Sequence, residues 1–356
     1  MTVVDDVRGS DSFVVPSLTT GERARMLEEW ATGVEPYDVS ALVTVIRHGH
    51  MVPGTRVAAR CAGEVLTYGD LFGGGDLSGG RGNGAGVRSS SALPTPAAVA
   101  ALLAEFVTAS RVGLGRFGDR GLLLSADALA VAVADRRNIA ADRRPRRVDP
   151  AMRPADVRLL ALPWGDPQNT VDLLAAWSSG ASVVVPTEAQ RRDPTALAGL
   201  IDTYGVTQLV AEAGLPIRFI EDGVNRLPTV ARWDLAGTSG GSMLPEAVRC
   251  LSPDAVATVA FHAPAYLGAV ARGPLAPTAW TRPVPGAKVL LLDEGRLVAP
   301  GVVGDVHVGG RALGAEFALG RDRDSFVNDP YDPRARLFRT GHRGWWTSEG
   351  RLIVES

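Results

Sequence analysis

Polar and apolar positions along this chain change period several times, and each change predicts an element. In TTGERARMLEEWA the apolar residues fall at helical spacing, and Thr19 with Glu22 three places later makes a reciprocal capping pattern, so an amphipathic helix is predicted. RVAARCAGEVLTYGDL reads as two short strands joined by a turn. FGGGDLSGGRGNGAGVRSSS, from Phe72 to Ser91, has no period and predicts a flexible surface loop or linker. TPAAVAALLAEFVTAS returns to helical spacing with Pro96 in its first turn, and Ser125 to about Asn138 predicts a further helix. DRRPRR then makes an arginine-rich turn.

From Val157 the pattern alternates between short apolar runs and helices. VRLLALP, ASVVVP and VTQLVAE predict buried strands. NTVDLLAAWSSG predicts a helix closed by Gly180, and DPTALAGLIDTYG one with Asp193 as N-cap, Pro194 at the first position and Gly205 as C-cap. Such alternation predicts a largely parallel sheet with helices on its faces. The last third changes character: AKVLLLD, GRLVAPGVVGDVHVGG and GRLIVES predict short strands with turns. The fold class is α/β with a β-rich C-terminal subdomain. The expected division is residues 1–35 as N-terminal linker and helix, 36–280 as the α/β core with a loop over 72–95, and 281–356 as the β-rich part.

Composition narrows the function. The chain has 356 residues, is 46% hydrophobic and 21% charged, and carries a net charge of -2, which gives no electrostatic case for nucleic acid or a membrane surface. No apolar run approaches the roughly 20 residues that cross a bilayer. The start, MTVVDDVRGSDSF, lacks the apolar segment of a signal peptide. Cys61 and Cys250 make no disulfide framework, and the expected compartment is the cytoplasm. Of the 37 basic residues one, Lys288, is lysine, so any chemistry that needs a lysine has a single candidate. It lies on a predicted strand and reads as a solvated edge residue.

Five segments, in order, then resemble one family. They are SLTTGERARMLEEW, LTYGDL (Leu66–Leu71), the stretch GASVVVPTEAQRRDPTALAGLIDTYGVTQL, the stretch PVPGAKVLLLDEGRLVAPGVVGDVHVGGRALGAEF, and LFRTGHRGWWTSEGRL (Leu337–Leu352). Together they resemble the large N-terminal part of adenylate-forming enzymes, specifically adenylation domains of nonribosomal peptide synthetases. That resemblance implies mostly parallel sheets flanked by helices. It also places the end of the chain about where the family's C-terminal lid subdomain begins, so the lid is expected to be absent.

The resemblance also implies a nucleotide site, and here the residues depart from the family pattern. The phosphate loop falls on VGLGRFGDRG, with Gly113 and Gly115 retained, no hydroxyl donors, and Arg120 where the family has lysine. Gly113, Gly115 and Gly118 also spell a dinucleotide fingerprint, but a helix is predicted before it where that motif needs a strand. Gly240 marks a further nucleotide-site position. The segment that supplies an aromatic and a magnesium-binding glutamate falls on HAPAY, giving His262 and Tyr266. The ribose-binding acid falls on His342, and a neutral imidazole accepts one hydrogen bond where a carboxylate accepts both ribose hydroxyls. The aspartate that anchors the substrate's ammonium falls on Pro167, with Asp166 one residue away and expected to point elsewhere at a strand end. Lys288 matches neither catalytic lysine of the family.

Other candidates are weaker. His48 and His50 in RHGHM share a face at strand spacing but lack further ligands for zinc. DRRNIAADRRPRR is basic without interleaved aromatics and reads as a solvated surface. No Gly-x-Ser-x-Gly motif is present. Trp345 and Trp346, with Trp30, are candidate partner contacts, because an exposed Trp makes a strong anchor. The expected function is that of an inactive adenylation-like domain, binding neither ATP nor magnesium and forming a docking platform in a nonribosomal peptide pathway. Expected partners are a carrier protein, an oxidase or tailoring domain, or an MbtH-like protein. The alternatives are an acyl- or amino-acid-adenylating ligase completed by another chain, and a nucleotide-binding regulatory module.

Overall fold

Runs of Val and Leu without polar alternation suit strands covered on both faces. In the computed structural model such runs form the middle of a nine-stranded sheet. The structure describes residues 18–33, 49–72, 114–117, 122–141, 156–237, 241, 243–277, 280–317 and 323–355. The loop predicted over 72–95, the helix from Thr95 and the DRRPRR turn lie outside these residues, apart from Phe72.

In chain order the strands are β1 (Val57–Cys61), β2 (Glu64–Thr67), β3 (Leu114–Phe117), β4 (Leu122–Ser125), β5 (Val157–Leu160), β6 (Ser182–Val185), β7 (Gln208–Glu212), β8 (Arg232–Ala236), β9 (Val256–Phe261), β10 (Ala271–Pro274), β11 (Arg282–Pro283), β12 (Ala287–Asp293), β13 (Arg296–Leu297), β14 (Gly304–Gly310), β15 (Glu316–Phe317), β16 (Phe326–Asp329), β17 (Asp332–Trp346) and β18 (Leu352–Val354). The large sheet runs β11-β10-β9-β8-β7-β5-β6-β1-β2. Its six central strands, from β9 to β1, pair in parallel, and antiparallel pairs close both edges. The second sheet runs β13-β12-β14-β17-β16, with β18 on β17, and is antiparallel throughout.

Local chemistry explains where the helices begin. The Thr19 hydroxyl accepts from the Glu22 N–H at 3.2 Å, while the Glu22 carboxylate accepts from the Thr19 N–H at 2.9 Å, opening the helix Thr20–Arg25. Asp193 accepts from the Ala196 N–H at 3.1 Å and opens the helix Pro194–Tyr204, which Gly205 ends at φ +60°. Thr187 and Gln190 make a second capping box, for the short helix Glu188–Arg192. The helix Pro167–Ser178 is buried from Gln168 onward, and its Trp177 indole donates to the Ala58 carbonyl at 3.1 Å, tying the helix to β1. Among the described residues no helix is long and apolar enough to cross a membrane.

Several expectations change. VGLGRFGDRG is not all loop: Leu114–Phe117 form β3, paired with β4 so that Gly115 lies opposite Leu124. Residues 49–51 are helical rather than extended, His50 packs edge-on against Phe72, and His48 lies outside the described residues. Trp30 and Trp346 are buried against each other with ring centres 6.2 Å apart, so neither is an exposed anchor. They join the core because the segment after the helix Thr20–Arg25 lies against the second sheet, where the Val289 N–H donates to the Ala31 carbonyl at 2.8 Å. Trp345 is half-buried.

Lys288 is corrected too. It sits on β12, between β13 and β14, and its Nζ meets Asp329 Oδ2 at 2.6 Å. The Asp329 side chain is 0% exposed and the Lys288 side chain 20%. The single lysine therefore neutralises a buried acid instead of facing solvent. K288M keeps the stem and removes the charge, leaving Asp329 without its cation. Urea unfolding of K288M should show a loss of about 1.5–3 kcal/mol, the range for a hydrogen bond to a charged group. K288M combined with D329N should regain most of it, because removing both partners spares the unpaired charge. A double variant no more stable than K288M would assign the loss to packing.

Candidate functional site

In a parallel sheet the loops leaving the carboxyl ends of the strands form the crevice in which ligands bind. The segments after β5 and β9 meet at that end here, where the Gln168 amide donates to the Gly268 carbonyl at 3.3 Å. Asp166 follows β5, and its carboxylate accepts from the Gln168 N–H at 2.8 Å as N-cap of the helix Pro167–Ser178. The predicted strand-end position is therefore a helix N-terminus, with Pro167 at its first residue. The proline side chain has neither charge nor hydrogen-bond acceptor, so no side chain at 167 can anchor an ammonium group.

His262 follows β9 directly and is partly buried, with Nδ1 enclosed and making no hydrogen bond among the described residues. Burial, then the charges of Arg272 and Arg136, push its pKa down to about 3. Tyr266 is 1% exposed, and its hydroxyl is buried. Burial first, then Asp135, pushes the phenol upward, so it stays protonated. A phenol enclosed in the core cannot reach a magnesium ion in the crevice.

His342 is brought to the same end of β9 by a bulge. Between Asp305 and His307 the register of β14 against β17 shifts, as Asp305 pairs with Arg343 and His307 with Arg339. Gly341 takes φ +80°, and the Thr340 hydroxyl donates to the Val306 carbonyl at 2.8 Å while accepting from the His342 N–H at 3.1 Å. The His342 ring then stands edge-on to Phe261, with centres 5.4 Å apart. Motif positions far apart in sequence thus converge: His342, His262 and the helix start at Pro167. Gly113, Arg120 and Gly240 lie outside the described residues.

Beneath this crevice lies a group of buried charges that the motif reading missed. Ser125 Oγ accepts from the Ala128 N–H at 3.0 Å and caps the helix Ala126–Ala141, which is buried from Ala128 to Arg136. The Arg136 guanidinium forms ion pairs with Asp172, of the helix Pro167–Ser178, and with Asp234 of β8, the second at 2.8 Å. Asp234 also accepts from Arg232 Nε at 3.0 Å and from the Thr258 hydroxyl at 2.8 Å. At the margin, Arg272 pairs with Asp135 at 3.1 Å. The space left among these groups is about 30 Å³, and Gln168, Val171 and His262 line it with them. That suffices for a water molecule, not for an amino-acid side chain. Burial opposes ionisation of Asp234, but Arg136 and Arg232 outweigh it and hold the carboxyl below the usual range. The sequence signal was modest: Asp135 and Arg136 end an apolar helical run, and Arg232 and Asp234 alternate along a strand.

These groups set a pH dependence. An unfolded histidine takes its proton near pH 6.5, but folded His262 does so only at about 3. Its contribution is whole above about pH 6.5 and is lost as pH falls toward 3. Asp234, held low in the folded chain, adds a loss of the same sign below about pH 4. Urea unfolding should give lower stability at about pH 4.5 than at about pH 7.5, with at most about 1.4 kcal/mol per pH unit for each proton. His262→Gln should flatten that slope. An unchanged slope would move the titration to another group, His307 first, whose pKa burial also lowers.

No family model matches the chain. The hybrid PKS-NRPS synthetase mycA of Thermothelomyces thermophilus is 30% identical over 209 residues, covering 51% of this chain and 5% of that protein. Phenyloxazoline synthase MbtB of Mycobacterium tuberculosis is 47% identical over 62 residues, covering 17% of this chain and 4% of that protein. The chain thus spans a small fraction of the length of these relatives. Among solved structures, the nonribosomal peptide synthetase FmoA3 in its α-methyl-L-serine-AMP-bound form superposes with a TM-score of 0.73 at 16% identity, covering 95% of this chain and 46% of that one. The superposition carries the fold, and the relatives carry the kinship. The chain thus has the fold of the N-terminal part of a nonribosomal peptide synthetase adenylation domain, and about half of it is similar in sequence to such synthetases.

Proposed function

We propose that this chain is a catalytically inactive adenylation-like domain that serves as a docking platform in nonribosomal peptide biosynthesis. The observation that carries the reading is the small space lined by Gln168, the residue next to Pro167. Where a substrate side chain would lie, Arg136, Asp172 and Asp234 are already paired. Two further positions support it: His342 stands for the ribose-binding acid, and Tyr266, standing for the magnesium-binding acid, is enclosed. What the chain keeps, among the described residues, is a body of three sheets with a buried core. Its partners, on this reading, are a carrier protein, an oxidase or tailoring domain, or an MbtH-like protein of the same pathway. Kinship with long multi-activity synthetases, a phenyloxazoline synthase among them, supports that setting.

Nucleotide binding tests the inactive half of the reading. Each charge-assisted contact is worth about 1.5–3 kcal/mol, so losing three costs on the order of 5–9 kcal/mol. Titration calorimetry should register no heat of MgATP binding at millimolar nucleotide. A micromolar isotherm would overturn the reading, and pyrophosphate exchange would then separate a ligase from a nucleotide sensor.

Co-elution tests the docking half. With Trp30 and Trp346 enclosed, Trp345, half-buried on β17 beside Ile353 of β18, is the remaining one of the three candidate tryptophans. W345A should weaken co-elution with a carrier, tailoring or MbtH-like protein encoded beside this chain, while its melting temperature stays within a few degrees. W346A should instead destabilise the fold by about 3–5 kcal/mol, as large aromatic truncations do. Strict monomers with every such neighbour would sink the platform.

A further inference from the structure

Arg136 is held in an unusual way for a structural ion pair. Its two carboxylate partners come from separate elements, Asp172 from a buried helix and Asp234 from a central strand. The side chains of all three are at most 10% exposed. Asp234 is itself fixed by Arg232 and Thr258, so it is oriented before Arg136 contributes anything. Two carboxylates facing one point, one of them preset, suit a planar fork of N–H donors, which a guanidinium offers and an ammonium does not. Removing that cation would leave Asp172 enclosed without its opposite charge. The walls around the Arg136 stem are apolar, with Ala132, Leu162, Val171 and Val210 lining the same small space.

We infer that this cavity is a guanidinium site, occupied in this chain by Arg136 as a tethered ligand. The inference rests on reading this small space as the family's substrate cavity, and it names what that cavity would now accept. The tether gives Arg136 a high effective concentration, so free cations do not compete with it in the unaltered chain. Removing the Arg136 side chain beyond Cβ leaves a void that adjoins the existing cavity and ends on two carboxylates.

The test uses the full chain carrying R136A, with methylguanidinium chloride as probe. R136A should melt several degrees below the unaltered chain. Millimolar methylguanidinium should raise that midpoint in a saturable way and leave the unaltered chain's unchanged. Methylammonium should raise it less, and sodium chloride not at all. Should R136A not fold by itself, it is refolded from urea with and without methylguanidinium, and recovery only with the probe supports the site. In D172N/D234N/R136M, where both acids are gone, the probe should have no effect. No saturable rise in R136A, an equal rise in the unaltered chain, a rise that persists in the triple variant, or failure to refold under either condition would overturn the inference. None of these outcomes bears on MgATP binding, so this inference and the inactive reading can fail separately.

Discussion

A charge taken out of water has to meet its opposite, and the interior of this chain is arranged around that demand at Asp234. The acid stands on a central parallel strand, where a hydrophobic residue would be ordinary. Once it is there, three elements are committed to it: Arg136 reaches in from the helix Ala126–Ala141, Arg232 from the same strand, and Thr258 from the next. Arg136 in turn binds Asp172 and so holds the buried helix Pro167–Ser178 against the sheet. An apolar core of equal volume would pack as well, since buried ion pairs rarely beat their hydrophobic replacements. What the charges add is directional: each element has one placement that satisfies its partners.

The same constraint operates elsewhere with less success. Arg158 on β5 is fully buried, and its three guanidinium nitrogens make no hydrogen bond among the described residues. Burial, and then the like charge of Arg136, lowers its pKa to about 10. In register it stands beside Gln208, which stands beside Arg232, so a polar row crosses the sheet under the helices. Gln208 Oε1 likewise makes no hydrogen bond among the described residues. By contrast Asp329 is fully served, by Lys288 and by the Tyr331 N–H. The second sheet thus pairs its buried acid, while the first leaves a cation short.

Local chemistry was legible from the residues, and distant chemistry was not. Thr19, Asp193 and Gly205 act through neighbours three or four places away, so their roles as caps could be read directly. The apolar strands of the parallel sheet announced themselves because nothing but burial suits them. Lys288 was misplaced because its partner is 41 residues away, and Arg136 was passed over because its partners are 36 and 98 away. Asp166 looked like a displaced substrate anchor until the backbone showed it capping a helix. Motif positions were legible as substitutions, yet only the fold shows that Tyr266 is enclosed while His342 lies at the end of β9.

The Trp30–Trp346 pair closes the core with one residue from the first described helix and one from near the last described strand. Gly350 completes that joint, since a Cβ there would meet the Trp30 indole at 2.4 Å. On a ribosome Trp30 emerges long before Trp346. The helix Thr20–Arg25 and Trp30 therefore wait without that partner until β17 has been made. Such late closure slows folding and leaves an apolar surface open in the interval. A truncation within β17 exposes Trp30 as surely as deleting its own neighbours would.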